Sequence, residues 1–154
     1  MNPVELERRL QRIERQLDEL ASAGRPRVRS GTWTPEVYGT TIYGTTTYGL
    51  QEGRYVLINR ICICWIAVFW SATTASGELR VTLPIASDAN LYYPVLASRC
   101  SFFAYSNDAT LSPEIVPNTT YLRIVESTSG GQSAIINIPS SGYLSLAGAY
   151  LIAP

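Results

Sequence analysis

The sequence predicts a mainly β protein, an antiparallel β-sandwich or jelly roll preceded by an N-terminal α-helical coiled coil. Apolar side chains in the first twenty residues recur at alternating spacings of four and three, which is the seam of a coiled coil. From residue 31 the chain changes to short runs rich in Thr, Tyr and apolar residues, separated by Gly, Asn and Pro, as in antiparallel strands and turns. With 154 residues and 46% hydrophobic side chains, there is room for one packed domain and a short appendage.

A coiled-coil stem is predicted over residues 1–24. Asn2 is a suitable N-cap and Pro3 a suitable first helical residue, while Gly24 and Pro26 mark the end of the helix. Leucine at the a positions with isoleucine at one d position favours three or four strands over a parallel dimer. The alternative is an amphipathic helix lying on its own β domain, although a strict a/d stripe is narrower than such a helix usually carries. The predicted oligomerisation residues of the stem are Leu6, Leu10, Ile13, Leu17 and Leu20.

An arginine-rich linker is predicted over residues 25–30, where arginine occupies every second position. One interpretation is a basic strap that contacts an acidic neighbouring surface, such as a capsid lattice. The alternative is a solvated linker whose positive charges keep neighbouring chains apart, as short runs of charge usually do. The candidate capsid-contact residues are Arg25, Arg27 and Arg29.

The predicted β-sandwich domain covers residues 31–154. It opens with an edge strand at 32–34, because the proline that follows cannot donate to a central ladder. A Tyr-Gly-Thr-Thr motif then recurs every five residues between 38 and 49. Residues that recur every five positions cannot all lie on one face of a regular strand, so a bulge or turn at the glycines is expected. The tyrosines of the repeat suggest either a surface that stacks on sugar rings or an edge packed between subunits.

A hairpin of residues 55–58 and 61–71 follows, and its second strand is apolar on both faces. A strand of this kind lies centrally in a sandwich or faces another subunit. Because the stem is predicted to be oligomeric, we expect Trp65 and Phe69 to contribute to the same oligomer interface. Further strand-like runs are separated by turn residues and occur at 79–83, 101–105, 121–126, 134–138 and 143–152.

Composition and charge exclude several classes of function. Twelve basic and twelve acidic residues cancel, so neither nucleic acid nor an anionic membrane is a predicted partner. Histidine is absent and three cysteines lack metal-ligand spacing, so no catalytic residue, cofactor or metal is predicted. One enzymatic alternative is a pair of carboxylates across a glycosidic bond, but nothing in the sequence shows that any two converge. The longest apolar run, at 61–70, is too short to span a membrane as a helix, and no secretory signal is recognised.

Four motifs resemble, in their order and spacing, a β domain common at the C-termini of bacteriophage fibre and spike proteins. They are GTWTP at 31–35, GRY at 53–55, VTLPIAS at 81–87 and SGYLSLAGAYLI at 141–152. The resemblance covers nearly all of residues 31–154. It implies a trimeric β-sandwich on the virion surface, carried by a helical or fibrous stem. The chain lacks the large N-terminal attachment domain of long fibres, which favours a short head-decorating protein or an adaptor-bound tip.

These patterns together predict a non-enzymatic homotrimer that decorates or cements the phage capsid. It is expected to assemble in the host cytoplasm, to reside at the virion surface, and to bind copies of itself and phage capsid or tail proteins. The alternative is a tail-fibre or tail-tip adhesin that recognises a host surface glycan through polar loops at 87–93, 105–112 and 126–133. Flat rings and hydrogen-bonding groups supply the candidate glycan contacts, which are Tyr92, Tyr93, Tyr105, Asn107 and Asp108.

Overall fold

The computed structural model describes residues 3–24, 26–89, 110–127 and 133–153. In these residues one helix, α1 (Pro3–Ala23), precedes nine strands. The strands are β1 (Val28–Trp33), β2 (Val37–Gly39), β3 (Thr46–Ile58), β4 (Ile61–Thr73), β5 (Leu79–Thr82), β6 (Thr110–Ile115), β7 (Tyr121–Ser127), β8 (Ser133–Ile135) and β9 (Gly142–Leu151). Their pairings are antiparallel, so the predicted mainly β fold with an N-terminal helix is confirmed. The jelly-roll topology and the coiled coil stay predictions.

The first sheet has the strand order β1-β3-β4-β9 and is built around the predicted hairpin. β3 and β4 join through a tight turn in which Asn59 adopts a left-handed φ of 55°. The β3–β4 register shifts on both sides of Tyr48, so the tyrosine repeat enters β3 through a bulge, as its five-residue period predicts. β1 lies at the edge of the sheet and β4 lies between two partners, both as predicted.

The second sheet has the order β2-β5-β7-β6, and β8 pairs with the end of β7. β6 begins at Thr110, inside a segment that the sequence analysis assigns to a loop. That assignment was wrong for residues 110–112, because pairing with β7 overrides the weak strand propensity of this polar stretch. Pro113 is tolerated because β6 is an edge strand. The strand predicted at 101–105 lies outside the described residues.

The connection between the helix and the first sheet is shorter than predicted. β1 begins at Val28, inside the linker assigned to 25–30, and Val28 pairs with Ile58 at the end of β3. The alternating arginines led to the assignment of a linker rather than a strand, because such a charge pattern is typical of a solvated segment. Four residues therefore separate α1 from β1. The three predicted capsid contacts are distributed as follows: Arg27 in this connection, Arg29 on β1, and Arg25 outside the described residues.

The hydrophobic core lies between the two sheets, and one face of β4 supplies its centre. Trp70 is fully buried, and its Nε1 donates a hydrogen bond to the Pro139 carbonyl at 3.1 Å. Burial raises the pKa of the Cys64 thiol to about 12, so this cysteine is a protonated, unreactive hydrophobe at neutral pH. β5 and β7 contribute aliphatic side chains from the second sheet, and β9 contributes them from the position next to β4 in the first sheet. The core side chains of β4 are Cys62, Cys64, Ile66, Val68 and Trp70.

The chain beyond β9 is tied to the β3–β4 turn by Arg60. The Arg60 guanidinium forms an ion pair with Asp88, whose side chain is largely buried. The same guanidinium donates from Nε to the Ile152 carbonyl at 3.2 Å. One arginine thus connects the turn of the hairpin, the segment after β5 and the residue after β9.

Replacing Arg60 with alanine is expected to lower the free energy of unfolding by about 1–3 kcal/mol, because the Asp88 carboxylate loses this cation in a largely buried position. Urea denaturation followed by circular dichroism measures the change. Arg29→Ala removes an exposed arginine from β1 and is the matched control, with an expected change below about 0.5 kcal/mol. A loss no larger than that of the control would contradict a stabilising role for the ion pair.

The helix leaves its apolar stripe uncovered. α1 begins at Pro3 and ends directly before Gly24, as the capping residues predict. Leu10, Ile13 and Leu17 are 52%, 51% and 59% exposed, so this stripe does not pack on the described part of its own β domain. Leu6 and Leu20 lie on the same helix, towards its two ends. Within the described residues no helix is both long and apolar enough to cross a membrane.

Candidate functional site

The side of β4 that points away from the core is apolar and exposed. Because side chains alternate along a strand, the odd-numbered residues of β4 face outward when the even-numbered ones fill the core. On this outward side Ile61, Trp65 and Phe69 are 45%, 47% and 42% exposed. The two residues that the sequence analysis assigns to an interface, Trp65 and Phe69, therefore lie on an accessible surface. That they bind another chain stays a prediction.

Neighbouring strands extend this surface, because directly paired residues of antiparallel strands share a face. Ile61 pairs with Ile58 of β3 and with Leu151 of β9, and Ile58 in turn pairs with Val28 of β1. One row of aliphatic side chains thus crosses all four strands of the first sheet. The whole surface is called the outer apolar face and comprises Val28, Val56, Ile58, Ile61, Ile63, Trp65, Phe69 and Leu151.

An open trough of about 860 Å³ lies on this sheet beside Trp65. Arg54 pairs with Trp65 in the β3–β4 register, and Glu52 pairs with Ala67, so opposite charges border the trough. Both charged side chains are exposed, and among the described residues neither forms an ion pair. An arginine and a carboxylate at the margin of an apolar surface can fix the orientation of a partner that carries complementary charges.

Two exposed apolar surfaces therefore occur on one chain, the stripe of α1 and the outer apolar face. The connection from α1 leads directly into β1, which is the edge strand of the sheet that carries the outer apolar face. Contiguous apolar surfaces of this kind usually mark sites of protein association. In the described part of the chain, Leu10, Ile13 and Leu17 of the stripe are each more than half exposed. On the outer apolar face the exposed side chains are Val28, Ile61, Trp65, Phe69 and Leu151.

Other predicted site residues are not brought to this surface. The candidate glycan contacts Tyr92, Tyr93, Tyr105, Asn107 and Asp108 lie outside the described residues. Among the residues that are described, no group of three or more Cys, Asp or Glu side chains is arranged to hold a metal ion. The sequence analysis did not predict that Val28, Ile58 and Leu151 share this surface. The pattern within each run was the available signal, whereas the pairing between the runs is needed to place these residues together.

Comparison with known proteins gives one informative similarity, which is structural. No protein family matches the sequence, and no curated protein does either. Among solved structures, the fold is similar to that of the Dettilon tailspike protein, with a TM-score of 0.64 and 14% sequence identity. The similarity covers 80% of this chain but 23% of that chain. At this identity the similarity establishes the shared β fold, over less than a quarter of the length of the tailspike.

Proposed function

We propose that this chain is a non-enzymatic homotrimer of the bacteriophage virion surface, in which three copies associate through α1 and the outer apolar face. The tailspike-like fold over 80% of the chain carries the proposal. The motifs that resemble fibre and spike domains give independent support from the sequence. The two uncovered apolar surfaces support association, since copies of the chain would bury both of them.

The residues at the a and d positions of α1 support an assembly of three copies. Leucine at positions 10 and 17 and isoleucine at position 13 form an a/d pattern that favours more than two strands. A coiled coil of about three heptads is short, so we infer that the β domains contribute to the same oligomer. The outer apolar face can make that contribution, because the short connection keeps it close to the stem.

The position on the virion has two candidates. The fold similarity to a tailspike favours the tail, where the protein would be part of a receptor-binding appendage. The exposed Arg27 and the arginine on β1, next to a short stem, favour decoration of an acidic capsid surface. We favour the tail position, because the similarity extends over most of the β domain whereas short basic segments are common in solvated linkers.

Immunogold labelling of the phage that encodes this chain tests the position directly. An antibody against residues 31–154 should label intact particles at the tail tip. Label distributed over the head would overturn the tail position and support capsid decoration. Particles that carry no label, while the same antibody stains the purified protein, would contradict a virion-surface function.

Replacing Leu10 and Leu17 with aspartate is expected to weaken trimerisation at least about tenfold, because charges in the seam oppose helix association. Multi-angle light scattering should give the wild type a mass three times that of the 16.9 kDa chain and shift the variant to lower mass at the same concentration. The control Gln11→Asp with Arg15→Gln changes the charge equally on the outward side of the helix and should stay trimeric. A monomeric wild type would contradict the proposed assembly.

A further inference from the structure

The outward side of the second sheet carries a cluster of three tyrosine rings and one arginine. Tyr38, Arg80 and Tyr121 each neighbour core residues along their strands, so alternation places all three on the side away from the core. Tyr38 pairs with Arg80 across β2 and β5, and Tyr121 lies on β7, the next strand. Tyr43, from the segment between β2 and β3, joins them. Tyr38, Tyr43, Tyr121 and Arg80 are together called the tyrosine platform.

Contacts between the rings hold the platform together. The rings of Tyr38 and Tyr43 are stacked, with centroids 4.8 Å apart and planes 19° from parallel. Tyr38 also meets Tyr121 edge to face, at 6.4 Å between centroids. The Arg80 guanidinium lies over the Tyr121 ring, 4.1 Å from its centroid. Three segments that are distant in sequence thus converge on one aromatic surface.

Tyr43 is held in place although most of its ring is accessible. Its side chain is 57% exposed, and its hydroxyl donates a hydrogen bond to Glu36 Oε2 at 2.9 Å. This hydrogen bond raises the pKa of Tyr43 to about 12, so the phenol is protonated at neutral pH. An exposed ring fixed by a stack on one side and a hydrogen bond at its tip contributes little to the core. It does provide a preorganised flat surface for a ligand.

Charged side chains adjoin the rings of the platform, with Glu36 at Tyr43 and Arg80 at Tyr121. Arg80 approaches Glu78 at 3.6 Å, which is longer than a good hydrogen bond, and its buried Nε has no acceptor within the described residues. Glu36 accepts from Tyr43 through one oxygen and keeps further lone pairs. The platform thus adjoins Glu36 at the Tyr43 hydroxyl and Glu78 at Arg80, while the nearby Arg123 is already paired with Glu114.

We propose that the tyrosine platform binds a neutral hexose of a glycan. The C–H face of a pyranose stacks on the accessible face of Tyr43, while its hydroxyls donate to the adjacent Glu36 carboxylate. Because the Glu36 carboxylate lies at the Tyr43 hydroxyl, its negative charge disfavours sialic acid, uronic acid and phosphate groups, which are also negative. The site uses different residues from those that the sequence analysis assigned to glycan contact.

This inference deepens the proposed function and rests on it for the source of the glycan, a host surface. The platform and the outer apolar face lie on the outward sides of the two different sheets. A trimer closed through the outer apolar face therefore leaves the platform on the side of each subunit that the interface does not use. Three platforms in one trimer would bind a repetitive surface with higher avidity than a single site.

The full-length protein should be screened against an array of oligosaccharides that contains neutral hexose glycans and sialylated glycans. We expect binding to neutral members, followed by a measurable dissociation constant in titrations with the free oligosaccharide. Tyr43→Ala should weaken that binding at least about tenfold, whereas Tyr43→Phe keeps the ring and should bind within about threefold of the wild type. Ile42→Ala, at an equally exposed neighbouring position, is the matched control and should bind like the wild type.

The proposal is overturned if no neutral oligosaccharide binds at millimolar concentration, if only sialylated glycans bind, or if Tyr43→Ala binds as tightly as the wild type. Circular dichroism confirms that the variants are folded. Binding to free oligosaccharides is measured in solution and does not depend on particles. A protein that binds hexoses but leaves particles unlabelled would therefore contradict the virion-surface function and not hexose binding by the platform. Labelled particles without hexose binding would contradict hexose binding by the platform and not the virion-surface function.

Discussion

Replacing Trp70 with alanine is expected to lower the free energy of unfolding of the β domain by about 3–5 kcal/mol. The Trp70 side chain is fully buried in the centre of the core, and its removal leaves a cavity that the surrounding strands cannot close. The Pro139 carbonyl also loses the hydrogen bond from Nε1. Since single domains of this size are stable by about 5–15 kcal/mol, the variant should unfold at a much lower urea concentration or fail to accumulate in the folded state.

Trp70→Phe separates the two contributions of this residue. Phenylalanine keeps most of the apolar volume and loses the donor, so we expect a smaller cost of about 1–2 kcal/mol. Urea denaturation monitored by circular dichroism gives both values. If Trp70→Ala cost less than about 1 kcal/mol, the side chain could not be at the centre of a tightly packed core.

Replacing both Trp65 and Phe69 with aspartate is expected to raise the dissociation constant of the proposed trimer at least about a hundredfold. These side chains are 47% and 42% exposed in the single chain, so the substitutions also remove some packing within the fold, and the stability of the variant must be measured beside its assembly. In the assembled trimer they would place charges inside an apolar interface, where unpaired charges are costly. Analytical ultracentrifugation over a range of concentrations measures the shift.

The control for this variant places the same two charges elsewhere. Thr120 and Ser140 are exposed and lie outside the first sheet, so Thr120→Asp with Ser140→Asp should leave the trimer intact. The unfolding midpoint of each variant checks that the β domain is still folded. A Trp65→Asp, Phe69→Asp protein that sediments like the wild type would exclude the outer apolar face as the interface, even if the α1 stem associates.

Local sequence patterns were sufficient to predict the elements at the centre of the fold. The apolar residues on both faces of the β4 run identified a strand that needs cover on both sides, and the structure places one of its sides in the core and the other on the outer apolar face. Likewise, the glycine and proline after the leucine stripe predicted where α1 ends. These signals are local, because propensity and periodicity act over a few residues.

Surfaces made by several strands could not be predicted in the same way. Val28 and Leu151 belong to one row only through the registers of β1, β3, β4 and β9, which no local pattern encodes. Tyr38 and Tyr121 meet because β5 lies between β2 and β7, although each tyrosine looks like an ordinary strand residue in its own segment. Residues 110–112, the first half of β6, were assigned to a loop for the related reason that pairing with β7, and not composition, makes them part of a strand.

The strand order of the first sheet has a consequence for the order of events during synthesis. β3 and β4 are neighbours in the chain and can pair as soon as both have left the ribosome, but the other edge of β4 pairs with β9. β4 is the most apolar strand of the protein, and this edge of β4 has no ladder partner until residues 142–151 have been made. While the residues between β4 and β9 are being translated, the nascent chain exposes an open strand edge of the kind that promotes aggregation. Completion of the first sheet is therefore a late event, set by the emergence of β9 rather than by the fast closure of the hairpin.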